Sequence, residues 1–288
     1  MKAIIRHELR SNFESVTGYV FGAFILLFAG IYCMVINLKV GYANFSYVLS
    51  SMTFIFIIGI PILTMRTIAE ERKQTTDKLL YSLPLTMGQV VVGKYLVLLV
   101  QLLIPTAILA VYPLILSAFG SVYLPGAYGT LIAFYMLGAA FAAVGMFISS
   151  LMENPASAAG LCFAVMLLNY FLSSLAGYVS TTAFASFAAF AVLLVALAVI
   201  VRLLTKNTFA AIMSALIPGI GLVLAYGLMG SSFQGAFPAV MKQLSLFDRF
   251  YAFADGVFDL RALVYFASVI LVFLFLSVQA LEKRRWNG

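Results

Sequence analysis

Apolar residues run in blocks of about twenty along this chain, and the polar stretches between them are short, with one long exception. A helix needs about 20 predominantly apolar residues to cross the hydrocarbon of a bilayer. Eight blocks reach that length, at approximately 16–37, 47–65, 95–119, 128–151, 157–178, 183–204, 209–230 and 262–281. Pro218-Gly219 interrupts the seventh, so a count of six that leaves out the 183–230 pair stays open beside the count of eight. Either number is even and puts both termini on one side. The exception among the connections is the polar island at 66–94, RTIAEERKQTTDKLLYSLPLTMGQVVVGK.

Composition agrees with the pattern. Of the 288 residues, 64% are hydrophobic and 9% charged, and mean hydropathy is +1.09. Soluble domains carry roughly a quarter charged residues. The predicted fold class is therefore an all-α integral membrane protein: one polytopic helical bundle over 1–288, with no room for a soluble catalytic domain. The start, MKAIIRHELRSNFES, is too charged for a signal peptide, and the apolar run after it is of full spanning length. Charge sets the orientation. With the N-terminus in the cytoplasm, thirteen Lys and Arg residues face inward and four (Lys39, Lys242, Arg249, Arg261) outward. The positive-inside rule then predicts a multi-pass protein of the cell membrane with both termini cytoplasmic. The net charge of +7 lies at span boundaries rather than in one patch, which argues against nucleic-acid binding.

Three connections carry structure of their own. Residues 2–14 read as an interfacial helix, with Ile5, Leu9 and Phe13 on one seam and Lys2, Arg6 and Arg10 on the next. In the outer segment 231–261, Phe237, Met241, Leu244, Phe247 and Tyr251 recur at helical spacing, so it reads as an amphipathic segment in the outer interface. Ser245 and Asp248 form an expected capping pair there, and Gly256 an expected helix stop. In the island, the second span is expected to continue as helix from Thr64 to Ser82 and to stop before Pro84. The next helix then starts with Thr86 as N-cap, Gln89 as its capping-box partner, and Leu85 with Val90 as a hydrophobic staple.

Several chemistries are disfavoured. GQVVVGKY at 88–95 approximates a phosphate-binding loop, but Tyr95 stands where a Ser or Thr should hold magnesium, and no strand precedes it. His7 is the sole histidine and lies in the interfacial segment, so neither a Ser–His pair nor an HExxH site can form at membrane depth. Cys33 and Cys162 sit in apolar blocks and read as small buried hydrophobes. Every Asp, Glu, Lys and Arg maps to a boundary or a connection, which leaves a proton or sodium gradient without a receptor. Gln101 and Asn169 read as interhelical hydrogen-bonders. Gly138, Ala139, Ala142, Ala143 and Gly145 permit close helix approach, within the subunit or across a dimer.

Four stretches, quoted as they stand, together resemble a known family: MKAIIRHELRSNFESVTGYVF, then RTIAEERKQTTDKLLYSLPLTMGQVVVGKYL, then FISSLMENPASAAG, then LSLFDRFYAFADGVFDLRALVYF with LEKRRW. They resemble the type 2 permeases of ATP-binding-cassette (ABC) transporters, in the branch that includes gliding-motility and nitrous-oxide-reductase-maturation permeases. The resemblance covers most of the chain. It implies a six-helix permease core to which 183–230 adds a hairpin, and a coupling helix in the elbow at 66–94. Glu70, Glu71, Arg72, Thr76, Leu79, Leu80, Pro84, Gly93 and Lys94 fall on its recurring positions. It further implies a cytoplasmic ABC ATPase subunit as partner, a second permease subunit in a homo- or heterodimer, and export as the expected direction. ATP and magnesium would sit on the partner chain, with no cofactor and no catalysis in this one. A membrane scaffold or sensor subunit, recruiting a cytoplasmic partner through the same surface, is the alternative.

Overall fold

The computed structural model describes residues 16–74, 86–205, 208–228 and 230–287, and among them the only regular structure is helical. Five helices are long and apolar enough to cross a membrane, and a sixth span results if one bent pair is counted as a unit. The chain is thus a multi-pass helical membrane protein. It divides into two compact units, Met1–Tyr170 with Arg249–Gly288, and Phe171–Asp248.

The first unit begins with α1 (Val16–Cys33), which runs into a π-helical turn, Met34–Lys39. Next come α2 (Phe45–Met52) and α3 (Ile55–Thr64), bent by 60° at Thr53-Phe54. This bent pair falls on the span expected at 47–65. Just before the bend, the Ser50 carbonyl accepts from both the Thr53 N–H (3.3 Å) and the Thr53 hydroxyl (2.8 Å). A side-chain hydroxyl competing for a helix carbonyl is a recognised cause of bending.

The expected helical continuation through Thr64 to Ser82 also fails within its described part. Turns occupy 65–68, followed by the short α4 (Ala69–Lys73). Residues 75–85, with the Pro84 elbow and Leu85 of the staple, lie outside the described residues, as does the interfacial segment 2–14. The next helix, α5 (Met87–Leu109), starts directly after Thr86, as the expected cap requires, then breaks at Ala110 before α6 (Val111–Ser117).

At the centre of this unit is α7 (Leu124–Leu151), against which α2, α3, α5 and the final helix α13 (Leu260–Asn287) all pack. In its most apolar window 78% of residues are buried, against 22% for α1, so α7 is the core helix and α1 a peripheral one. Sequence explains the difference. Ala139, Ala140, Phe141, Ala142 and Ala143 are buried in succession, which only a helix enclosed on all sides allows. Its small residues serve contacts within the subunit: a methyl group at Gly138 would collide with Leu102, and one at Gly145 with Thr64.

The second unit takes in the end of α8 (Pro155–Tyr178), the hairpin of α9 (Ala183–Thr205) and α10 (Thr208–Leu228), and α11 (Ala236–Leu244). At one end the hairpin is tied by rings: Phe187 on Tyr226 at 4.8 Å and Phe190 on Phe237 at 5.1 Å. Gly235, at φ +68°, supports this tie by donating its N–H to the Thr181 carbonyl at 2.8 Å.

The amphipathic pattern of 231–261 is not carried by one continuous helix. After α11 the chain breaks at Ser245 and resumes as α12 (Leu246–Ala254). Ser245 Oγ accepts from the Asp248 N–H at 3.2 Å, the expected cap. Gly256, at φ +83°, ends α12 as expected. The break shifts the helical phase, so the buried residues of α12 are Leu246, Phe247, Phe250, Phe253 and Ala254, while Leu244 is exposed and Tyr251 half-buried.

Candidate functional site

The described residues of the polar island form a junction at one end of the first unit, built around the C-terminus of α7. Its last carbonyls have no helical donors and carry the negative end of the helix dipole. Arg72 Nη1 donates to the Met152 carbonyl at 3.0 Å, and Arg284 Nη2 to the Leu151 carbonyl at 2.8 Å. Two arginines, one before α5 and one in the last helix, thus close the same helix end. Arg284 also lies 3.7 Å from Glu153.

One turn back, Ser149 Oγ accepts from the N–H groups of Ile68 (3.2 Å) and Ala69 (3.1 Å) and donates to the Met65 carbonyl at 3.3 Å. That hydroxyl satisfies the turn at 65–68 and explains why α3 does not continue. A buried, unpaired main-chain N–H would cost about 1–3 kcal/mol.

Beside this turn, Lys94 Nζ meets Glu71 Oε1 at 2.6 Å, with the lysine 3% and the glutamate 27% exposed. Lys94 sits on the second turn of α5, inside the helix that Thr86 caps. In so dry a place a lone ammonium would be costly, and the Glu71 carboxylate offsets part of that cost. Glu70 faces outward and pairs with Arg66 at 3.2 Å, an exposed contact of small consequence.

Of the nine positions singled out in the sequence, five are described. Glu71, Arg72 and Lys94 come together in the junction; Gly93 is buried in α5; Glu70 is on the surface. Thr76, Leu79, Leu80 and Pro84 lie outside the described residues. The 88–95 segment is helix from end to end, and the Tyr95 hydroxyl donates to the Ala139 carbonyl at 3.0 Å. Tyr95 is thus an interhelical contact. Thr86 and Gln89 form the reciprocal capping box, at 3.3 and 3.4 Å.

Compared with protein-family models and with curated proteins, the chain gives no match. Sequence reasoning missed Ser149, Met152 and Arg284, whose signal was present only in part. A Ser-Ser pair closes an otherwise apolar helix, and a basic tail follows the last one. Nothing in one sequence says that these ends meet. Among the described residues no group of His, Cys, Asp and Glu is arranged to hold a metal, and Cys33 and Cys162 are buried thiols.

Proposed function

We propose that the chain is the membrane-spanning permease subunit of an ABC transporter, working as an exporter in the cell membrane with both termini cytoplasmic. A separate ATP-binding subunit docks on 66–94, and a second permease subunit completes the transporter. Six spans, with α2–α3 counted as one bent span, form the permease core, and α9–α10 add a hairpin to make eight.

The observation that supports this most is the anchoring of the island. Glu71 and Lys94, toward its two ends, are joined by a part-buried ion pair, and Arg72 fastens the same end to α7. A segment that only fixed topology would need solvated charge and no such base. On this reading Glu71, Arg72, Gly93 and Lys94 hold the coupling segment, and contact with the motor falls to Glu70, Thr76, Leu79, Leu80 and Pro84. Nucleotide-driven movement of that segment would then bias two states of the core, which requires contacts that differ between them.

The test is retention and stimulation of a cassette ATPase. Replacing 75–85 with a Gly-Ser linker abolishes both if the reading is right. A non-transporting scaffold would instead retain a different cytoplasmic partner and leave ATP hydrolysis unchanged.

A further inference from the structure

Rings tie the hairpin α9–α10 together at one end, and toward the other end the two helices leave a groove of about 410 Å³ between them. One wall is a single face of α9, from Val195 through Ala198 to Arg202. The other is a single face of α10, from Thr208 through Ala215 to Leu216. Alanine on both walls leaves room between them. The groove is amphiphilic along its length. Its polar end is the turn of the hairpin, with Arg202 in the last turn of α9 and Thr208 opening α10. From Thr208 the wall runs about 12 Å to Leu216, at 1.5 Å per residue. Half of a hydrocarbon core about 30 Å thick is one leaflet, so the groove follows most of one leaflet's depth.

Charge says what belongs at the polar end. Arg202 is exposed and forms no ion pair with an acid among the described residues. The hairpin has none to offer, because the sequence holds no Asp or Glu between Glu153 and Asp248. Asp248 itself receives a hydrogen bond from the Ser173 hydroxyl. The counter-charge of Arg202 therefore comes from outside the hairpin. A guanidinium matches a phosphate with two parallel N–H donors. The positive end of the α10 dipole lies at the same end of the groove and adds to that attraction. A free anion would leave the apolar length unfilled, and a neutral chain would leave the guanidinium without its anion. A phospholipid supplies both parts at the right separation.

We propose that this groove is a lipid site, which holds one acyl chain of an anionic phospholipid with its phosphate on Arg202. The site requires the hairpin to lie in the bilayer and is independent of the transporter reading.

The test uses the full chain in phosphatidylcholine nanodiscs that contain a minor fraction of phosphatidylglycerol with a photoreactive diazirine on its acyl chain. Labelled positions are mapped by mass spectrometry. Label should concentrate on the groove faces of α9 and α10. Excess unlabelled phosphatidylglycerol should displace it, whereas phosphatidylcholine and glycerol phosphate, the headgroup without a chain, should not. Arg202→Gln should lower the labelling roughly fivefold, the worth of one basic residue at an anionic membrane surface. Ala215→Phe, which fills the groove, should remove it while the unfolding midpoint stays that of wild type. Three results would each overturn the proposal. One is a hairpin that takes no label. Another is equal labelling by a phosphatidylcholine probe with no loss in Arg202→Gln, which is lipid packed around any apolar helix. The last is displacement by glycerol phosphate, which is a phosphate site with no place for the chain.

Discussion

Two regions of this molecule have nearly the same composition and opposite fates. The core helix α7 and the hairpin α9–α10 are both built from Ala, Gly, Leu, Phe and Val. In α7 the small residues are where neighbouring side chains enter, Leu102 at Gly138 and Thr64 at Gly145. In α10, Gly219, Gly221 and Gly227 face open space, and Val192, Val195, Leu197, Ile217, Val223 and Leu224 are exposed around the hairpin. Lipid is as apolar as leucine, so hydrophobicity does not sort the two. What sorts them is shape and polar anchoring. The α7 end is held by Arg72, Arg284 and Ser149, while the hairpin is held by rings at one end.

The comparison is broken most severely at the ion pair. Glu71→Ala takes from Lys94 a carboxylate partner at a largely buried site and should cost about 2–3 kcal/mol, seen as a fall in the unfolding midpoint in detergent. The double change Glu71→Gln with Lys94→Met should recover most of that loss, because no buried ammonium then remains. Equal losses in single and double variants would remove the ion pair from the account.

Next in size is Gly145→Ala. The new methyl group meets the side chain of Thr64, which is fully buried and donates to the Ile60 carbonyl at 2.9 Å, so it has nowhere to move. A loss of about 1–3 kcal/mol is expected. The same substitution at Gly221 should reverse sign, gaining about 0.5–1 kcal/mol, because the site is open and alanine is the better helix former. If Gly221→Ala destabilises as Gly145→Ala does, the hairpin is packed and the contrast collapses.

Removing the cap with Ser245→Ala should cost about 1 kcal/mol and speed amide exchange at the start of α12. Smallest is Leu197→Ala on the exposed face of the hairpin, within about 0.5 kcal/mol of wild type by the same unfolding measurement.

Features legible in the sequence were those with a local cause. Apolar block length gave the long helices, the Thr86–Gln89 spacing gave the capping box, and Gly256 gave the stop of α12. Features that needed a distant partner were not legible. The turn at 65–68 exists because Ser149 receives its N–H groups, and Arg284 closes a helix that ends 133 residues earlier. The pairing of Lys94 with Glu71 was not legible because the two lie 23 positions apart in the chain. The phase of the outer segment failed for a local reason that was misjudged. Ser245 was recognised as a cap, but a cap also means that the preceding helix has ended, so one seam could not run through it. Of the predicted site, the geometry reveals the base, and the contact surface remains a matter of sequence.

The central claim is that 66–94 is a docking segment held by its Glu71–Lys94 base, and one measurement addresses it directly. The full chain is purified from its own membranes, and the cassette ATPase that accompanies it is quantified for wild type, Glu71→Lys, and Glu71→Lys with Lys94→Glu. The account predicts an ATPase bound to wild type, lost in the single reversal and regained in the charge swap. A wild type that carries no ATPase, or one whose ATPase survives the single reversal undiminished, would contradict it.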